Sequence, residues 1–217
     1  MQGGGQTDVV IMDFSKAFDK VAHKHLIKKI GHYGICGKTK NWIESFLSNP
    51  TQQVVIKGKY SDKANVQFDV PQGSVLGPYL FLFYINDLPA NLSSTVRLFA
   101  DDTLLYLTVH SQTDADIIQR DLNILEEWEK KWLMHFNVDK CYVLHVSQKR
   151  NPLIHNYTLH GQTLKSVESA KYLRVTITSD LCWNCHVSNI TNKGNQTLGF
   201  LKRNLKIKSQ ALKAIAY

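Results

Sequence analysis

Acidic residues run out before the chain does: of its 217 residues none after Asp180 is Asp or Glu, while Lys193, Lys202, Arg203, Lys206, Lys208 and Lys213 all follow. The whole chain carries a formal charge of +8 with a pI near 9.2, which suits a polyanion such as nucleic acid better than an acidic small molecule. Cysteine is scarce as well. Cys36, Cys141, Cys182 and Cys185 are too few for a dense disulfide framework, which fits a reducing compartment. Long hydrophobic runs are missing: the longest, Tyr79 to Ile85, is far too short to span a bilayer, so no membrane partner is expected. The opening Met1-Gln2-Gly3-Gly4-Gly5-Gln6 offers neither the basic nor the apolar region of a signal peptide. An intracellular location, nuclear or cytoplasmic, is the expectation, and the sequons at Asn91, Asn156, Asn189 and Asn195 then stay unmodified.

What remains is a globular composition. At 43% hydrophobic the chain can bury a real core and is long enough for one large domain or about one and a half, with no internal repeat and no long linker. Val9 to Met12 is a β-branched apolar run that delivers Asp13 at its end. His23 to His32 and Lys38 to Leu47 have helical periodicity, and Gln53 to Lys57 and Asn65 to Phe68 look like strands. Pro71-Gln72-Gly73-Ser74-Val75-Leu76-Gly77-Pro78 is a turn-rich loop ahead of an apolar helix from Tyr79 to Leu88. A hairpin from Val96 to Val109 and a long amphipathic helix from Thr113 to Leu133 follow. Strand-like runs come at Tyr142 to Val146, Tyr157 to Leu159 and Tyr172 to Ile177, and a basic helical segment from Val187 to Ala216 ends the pattern.

Within that hairpin, two apolar runs flank the adjacent carboxylates of Asp101 and Asp102. Neighbouring carboxylates repel unless a cation lies between them or one takes a proton, and a hard divalent ion such as Mg²⁺ is the natural partner. Taken alone, Asp-Asp also fits an ordinary turn, as Pro-Gln-Gly does. Their order carries more information: a strand ending in Asp13, the Gln72-Gly73 loop, then the hairpin with Asp101 and Asp102.

That order, and the wording Asp13-Phe14-Ser15-Lys16-Ala17-Phe18-Asp19, Pro71-Gln72-Gly73-Ser74-Val75-Leu76-Gly77-Pro78 and Phe99-Ala100-Asp101-Asp102, resembles the reverse transcriptases of non-LTR, LINE-like retrotransposons of the jockey and CR1 type. The resemblance implies an α+β polymerase palm, an antiparallel sheet backed by helices, over residues 1–165. A primer-grip region over 166–180 and a partial helical thumb over 181–217 would follow, with the upstream fingers missing. It also implies an RNA-directed DNA polymerase acting on an RNA template, a DNA primer and deoxynucleoside triphosphates. Two Mg²⁺ ions, or Mn²⁺ in their place, would lie roughly 3.5–4 Å apart and stabilise the attacking and leaving oxygens.

By the same resemblance Asp13 and Asp101 bridge the two ions, Asp102 is the third carboxylate and the Phe14 carbonyl a further ligand. Phe18 closes the sugar pocket, Gln72 and Gly73 meet the incoming nucleotide, and Lys140 stands near the leaving pyrophosphate. Tyr172-Leu173-Arg174-Val175 falls at the primer grip, but with Arg174 where the family has Gly. Lys202, Arg203, Lys206 and Lys208 would follow a phosphate backbone.

The competing classes are a catalytically inactive nucleic-acid-binding remnant of such a polymerase and a nucleotide cyclase, which would lack the Pro71-Gln72-Gly73 pattern. Cys182-Trp183-Asn184-Cys185-His186 matches the pattern of covalent haem attachment. With no export signal or axial-ligand setting beside it, no haem is expected. A zinc site would need further ligands, for which His145, His155 and His160 are candidates only by count.

Overall fold

A computed structural model describes residues 5–48, 51–65, 68–70 and 73–204. Strand β1 (Gln6–Asp13) is followed by helices α1 (His23–His32) and α2 (Gly37–Leu47). Four short strands, β2 (Thr51–Gln52), β3 (Val55–Ile56), β4 (Lys59–Tyr60) and β5 (Ala64–Asn65), precede helix α3 (Leu76–Ile85). Then come β6 (Thr95–Phe99), β7 (Asp102–Val109), the long helix α4 (Gln112–Trp132) and β8 (Tyr142–Ser147). Five further short strands, β9 (Thr158–Leu159), β10 (Gln162–Thr163), β11 (Lys165–Ser166), β12 (Ser169–Tyr172) and β13 (Val175–Thr178), lead to helix α5 (Asn184–Asn204).

The main sheet has five strands in the order β11-β8-β1-β7-β6, antiparallel except for the β11–β8 pair. Side chains alternate between the faces of a strand. In β1 the even positions Gln6, Asp8, Val10 and Met12 are all buried, and Val10 and Met12 join a core that includes Leu80 and Phe81 of α3 and Ile118, Leu122 and Leu125 of α4. Asp13 therefore falls out of phase with the helix-covered face. Opposite it, Asp102 is out of phase with the buried Thr103 and Leu105, so both carboxylates share the less covered face.

Lys29 ties three helices together behind that sheet. Its ammonium donates to the Tyr84 carbonyl and Asp87 and lies 3.6 Å over the centre of the Trp132 ring. Burial, opposed by Asp87, pulls its pKa down to about 8. Such a cation is tolerable at 4% exposure because a carboxylate and an aromatic face replace water around it.

Several boundaries differ from the periodicity. Helix α3 begins at Leu76 rather than Tyr79, with Pro78 inside its first turn, where a missing N–H costs nothing because those donors have no intrahelical partner. Ser74, two residues before it, accepts from the Gly77 N–H at 2.9 Å and so satisfies one donor of that turn. Where the sequence reads as strands at Gln53 to Lys57 and Asn65 to Phe68, the described residues form nested pairs, β3 with β4 around Lys57 and Gly58 and β2 with β5 outside them. Val66 and Gln67 lie outside the described residues. Tyr172 to Ile177 is a hairpin rather than one strand. The basic terminal helix is described to Asn204, and residues beyond it, Lys206 and Lys208 included, lie outside the described residues. No described helix is long and apolar enough to cross a membrane.

Candidate active site

The β6–β7 hairpin closes through a two-residue turn, Ala100 and Asp101, with Phe99 paired to Asp102. Ala100 takes φ 51°, the left-handed conformation that the tight turns of twisted hairpins require. Register then does the rest: Asp13, the last residue of β1, is the direct cross-strand partner of Asp102. Cα atoms so opposed stand roughly 4.5–5.5 Å apart. Burial, and then the charges of Asp101 and Asp13, hold the Asp102 carboxyl above the usual range. Three acids from two separate stretches thus share one end of the sheet and repel one another.

Lys140 joins them. It ends a short 3₁₀ turn at Val138–Lys140 and donates from Nζ to Asp13 Oδ2 at 2.9 Å, and that bond raises its own pKa. Among the described residues no three His, Cys, Asp or Glu side chains stand close enough to hold a metal ion as they are. The donor chemistry nonetheless fits a hard divalent cation, because Asp102 is left short of counter-charge by its two acidic neighbours. Phe14 is fixed between β1 and residues 135–137. The Ser15 N–H donates to the His135 carbonyl and the Asn137 N–H to the Asp13 carbonyl, each at 2.8 Å, so Phe14's own carbonyl takes no part in that pairing.

Phe18 is half-buried and stacks on Phe81 of α3, with ring centres 4.6 Å apart. Its carbonyl accepts from the Val70 N–H at 3.0 Å, which draws the segment before Gly73 toward the end of β1. Gly73 is exposed at φ +82°, and a Cβ there would meet nothing within 4 Å, so in this chain the backbone angle rather than crowding selects glycine. Gln72 and Pro71 lie outside the described residues.

Strands β12 and β13 join through Leu173 and Arg174, both left-handed at φ 46° and 67°. The glycine that the resemblance implies at the second of these positions has a plain cause here, since only glycine adopts that angle without cost. Tyr172, at the base of this turn, has its phenol pushed up by burial and by the Asp102 charge, so the hairpin end lies near the acids. Lys202 and Arg203 sit in the last turn of α5. His145, His155 and His160 each face other partners: Asp8, Gln112 and Glu129. His186 accepts at Nδ1 from the Thr176 N–H at 3.2 Å.

Three further acids, outside every motif, are buried among the described residues. Asp8 takes hydrogen bonds from Gln6 and Tyr157 and has His145 Nδ1 at 2.9 Å, tying β1 to β8 and the loop behind it. Asp121 of α4 accepts from the Ser93 and Ser94 N–H groups at 3.0 and 2.7 Å, anchoring the entry to the β6–β7 hairpin. Glu129 accepts from the Phe136 N–H, and burial pushes its carboxyl up against the pull of Phe136 and His160. The available signal was phase: Asp8 falls in step with Val10 and Met12, and Asp121 and Glu129 with Ile118, Leu122 and Leu125.

The helix-covered sheet is a fold shared with telomerase. Apo telomerase from Candida tropicalis superposes with a TM-score of 0.56 at 11% identity, over 80% of this chain and 31% of that one. Residues 2–177 match the family model for reverse transcriptase (RNA-dependent DNA polymerase), and the chain belongs to that family. It is similar to the "Probable RNA-directed DNA polymerase from transposon BS" of Drosophila melanogaster, 29% identical over 93% of this chain and 23% of the relative. The RNA-directed DNA polymerase from mobile element jockey of the same species is 28% identical over 82% of this chain and 20% of its own length. The chain thus spans about a fifth of the length of the curated relatives it matches.

Proposed function

We propose that this chain is the palm of an RNA-directed DNA polymerase over residues 1–165, with a primer-grip hairpin over 166–180 and the start of a thumb over 181–217. It would extend a DNA primer on an RNA template from deoxynucleoside triphosphates. The observation that carries the reading is the pairing of Asp13 with Asp102, with Lys140 bonded to Asp13 beside them. Asp13, Asp101, Asp102 and the Phe14 carbonyl would hold two Mg²⁺ ions, or Mn²⁺. When bound, these supply charge for the attacking and leaving oxygens.

The chain's own residues do the remainder. Lys140 neutralises or protonates the departing pyrophosphate, a role within reach of an exposed ammonium already among the acids. Phe18, propped by Phe81, closes the sugar pocket against a ribose 2′-hydroxyl. Gln72 and Gly73 line the nucleotide, and Lys202 and Arg203 track the phosphate backbone. Support for a nucleic-acid partner comes from the basic balance of the chain and from a Candida tropicalis telomerase solved with a fragment of telomeric RNA, which shares this fold at 11% identity and a TM-score of 0.56.

Primer extension on an RNA template, beside an Asp101→Asn, Asp102→Asn control, tests this. Extension by the wild-type chain alone is expected. Retention of primer–template without extension would instead favour a binding remnant, for which Arg174 at the hairpin turn is the motive.

A further inference from the structure

Glu129 lies one turn before the end of α4, on the stripe of Ile118, Leu122 and Leu125, and is 1% exposed. A carboxylate so placed needs partners to stay. One is the Phe136 N–H, which reaches it because the chain reverses at Leu133, in the left-handed conformation with φ 56°. The other is His160 on the β9–β10 turn, itself held by its N–H to Glu126 at 2.6 Å.

Phe136 is the centre of the segment that grips β1. On either side of it, the His135 carbonyl accepts from Ser15 and the Asn137 N–H donates to the Asp13 carbonyl, and the Phe136 ring stacks on Phe14 with centres 4.2 Å apart. The Asn137 carbonyl then accepts from the Lys140 N–H at 2.9 Å, closing the turn that brings Lys140 onto Asp13. One short segment therefore sets the backbone under both Asp13 and Lys140, and Glu129 fastens that segment to the helix.

We propose that Glu129 is a positioning residue which, through the Phe136 amide, fixes Asp13 and Lys140 relative to each other, with His160 holding Glu129 in place. Its consequence for catalysis rests on the polymerase reading above; the clamp itself does not. Misplacing a reacting group by about 1 Å can cost about 100-fold in rate. Glu129→Met, which removes the acceptor, should lower kcat about 10–100-fold while KM for nucleotide and primer stays within about twofold. Glu129→Gln, which keeps an oxygen for the Phe136 N–H, should restore most of kcat.

Amide hydrogen exchange reads the clamp without any activity. In Glu129→Met the Ser15 and Asn137 amides should exchange at least about tenfold faster, with Val10 and Leu105 unchanged. If the wild-type chain extends no primer, the polymerase reading fails and the exchange data alone decide the clamp. Exchange at Ser15 and Asn137 equal to wild type, or a loss in Glu129→Gln as deep as in Glu129→Met, overturns the proposal. Should Glu129→Met not fold, His160→Ala takes its place: faster exchange at Asn137 is expected, and unchanged exchange overturns it.

Discussion

Lys140 donates a hydrogen bond to Asp13 across 127 residues of sequence, Nζ to Oδ2 at 2.9 Å. An exposed pair of this kind adds little to stability, because water and salt screen it and two side chains must be ordered to form it. Lys140→Met should leave the melting temperature where it was and, on the role proposed above for its ammonium, lower the rate of nucleotide addition about 100-fold. Thermal melting beside single-turnover extension checks both. A large fall in melting temperature would make the lysine a structural tie instead.

Burial, and after it the charges of Asp101 and Asp13, disfavours the ionised form of Asp102. A carboxyl raised on folding contributes stability below its unfolded pKa and loses that contribution as pH rises through the folded value, so at neutral pH the ionised group opposes folding. Asp102→Asn in chelator should therefore melt about 2–4 °C higher than wild type at pH 7, a gain that shrinks toward pH 4. Adding Mn²⁺ should raise the wild-type midpoint and leave the variant nearly unmoved. Equal shifts in the two proteins would place the ion elsewhere.

Asp8 behaves in the opposite sense. Burial pushes its carboxyl up, but His145, Tyr157 and Gln6 outweigh burial and hold it below the usual range. Its stability contribution is present above the unfolded carboxylate pKa and is lost as pH falls through the lower folded value. Asp8→Ala should cost about 3–5 kcal/mol at pH 7 by urea unfolding, since it strands the buried imidazole and phenol, and the deficit should narrow in acid. A cost below about 1 kcal/mol would mean that the network relaxes onto water.

Arg174 holds φ 67° in the β12–β13 turn. For a residue with a Cβ that conformation costs about 1–2 kcal/mol, so Arg174→Gly should stabilise the chain by up to about 1 kcal/mol after the added freedom of the unfolded glycine is subtracted. Extension from a primed template should improve with it if the hairpin holds the primer. A gain in stability without a gain in extension would separate the turn from the reaction.

Much of this was readable along the chain, for a physical reason. The strand ending in Asp13 and helix α1 stand where a β-branched apolar run and 3.6-residue spacing put them. Leu173 and Arg174 carry no turn residue, so a hairpin passed for a strand. Pro78 looked like a barrier before α3 although the first turn of a helix tolerates it. The buried acids were hidden for a different reason. Asp8, Asp121 and Glu129 matter through backbone amides and side chains up to 149 positions away, and no local pattern encodes such partners.

The pairing of β1 with β7 has a cost of its own. Because strand faces alternate residue by residue, sliding β7 by a single place would aim Asp102 at the apolar helices and put Thr103 opposite Asp13 in its stead. Such a slip of β7 against β1 would misplace Asp102 and unseat its buried neighbours together, which removing any one acid does not.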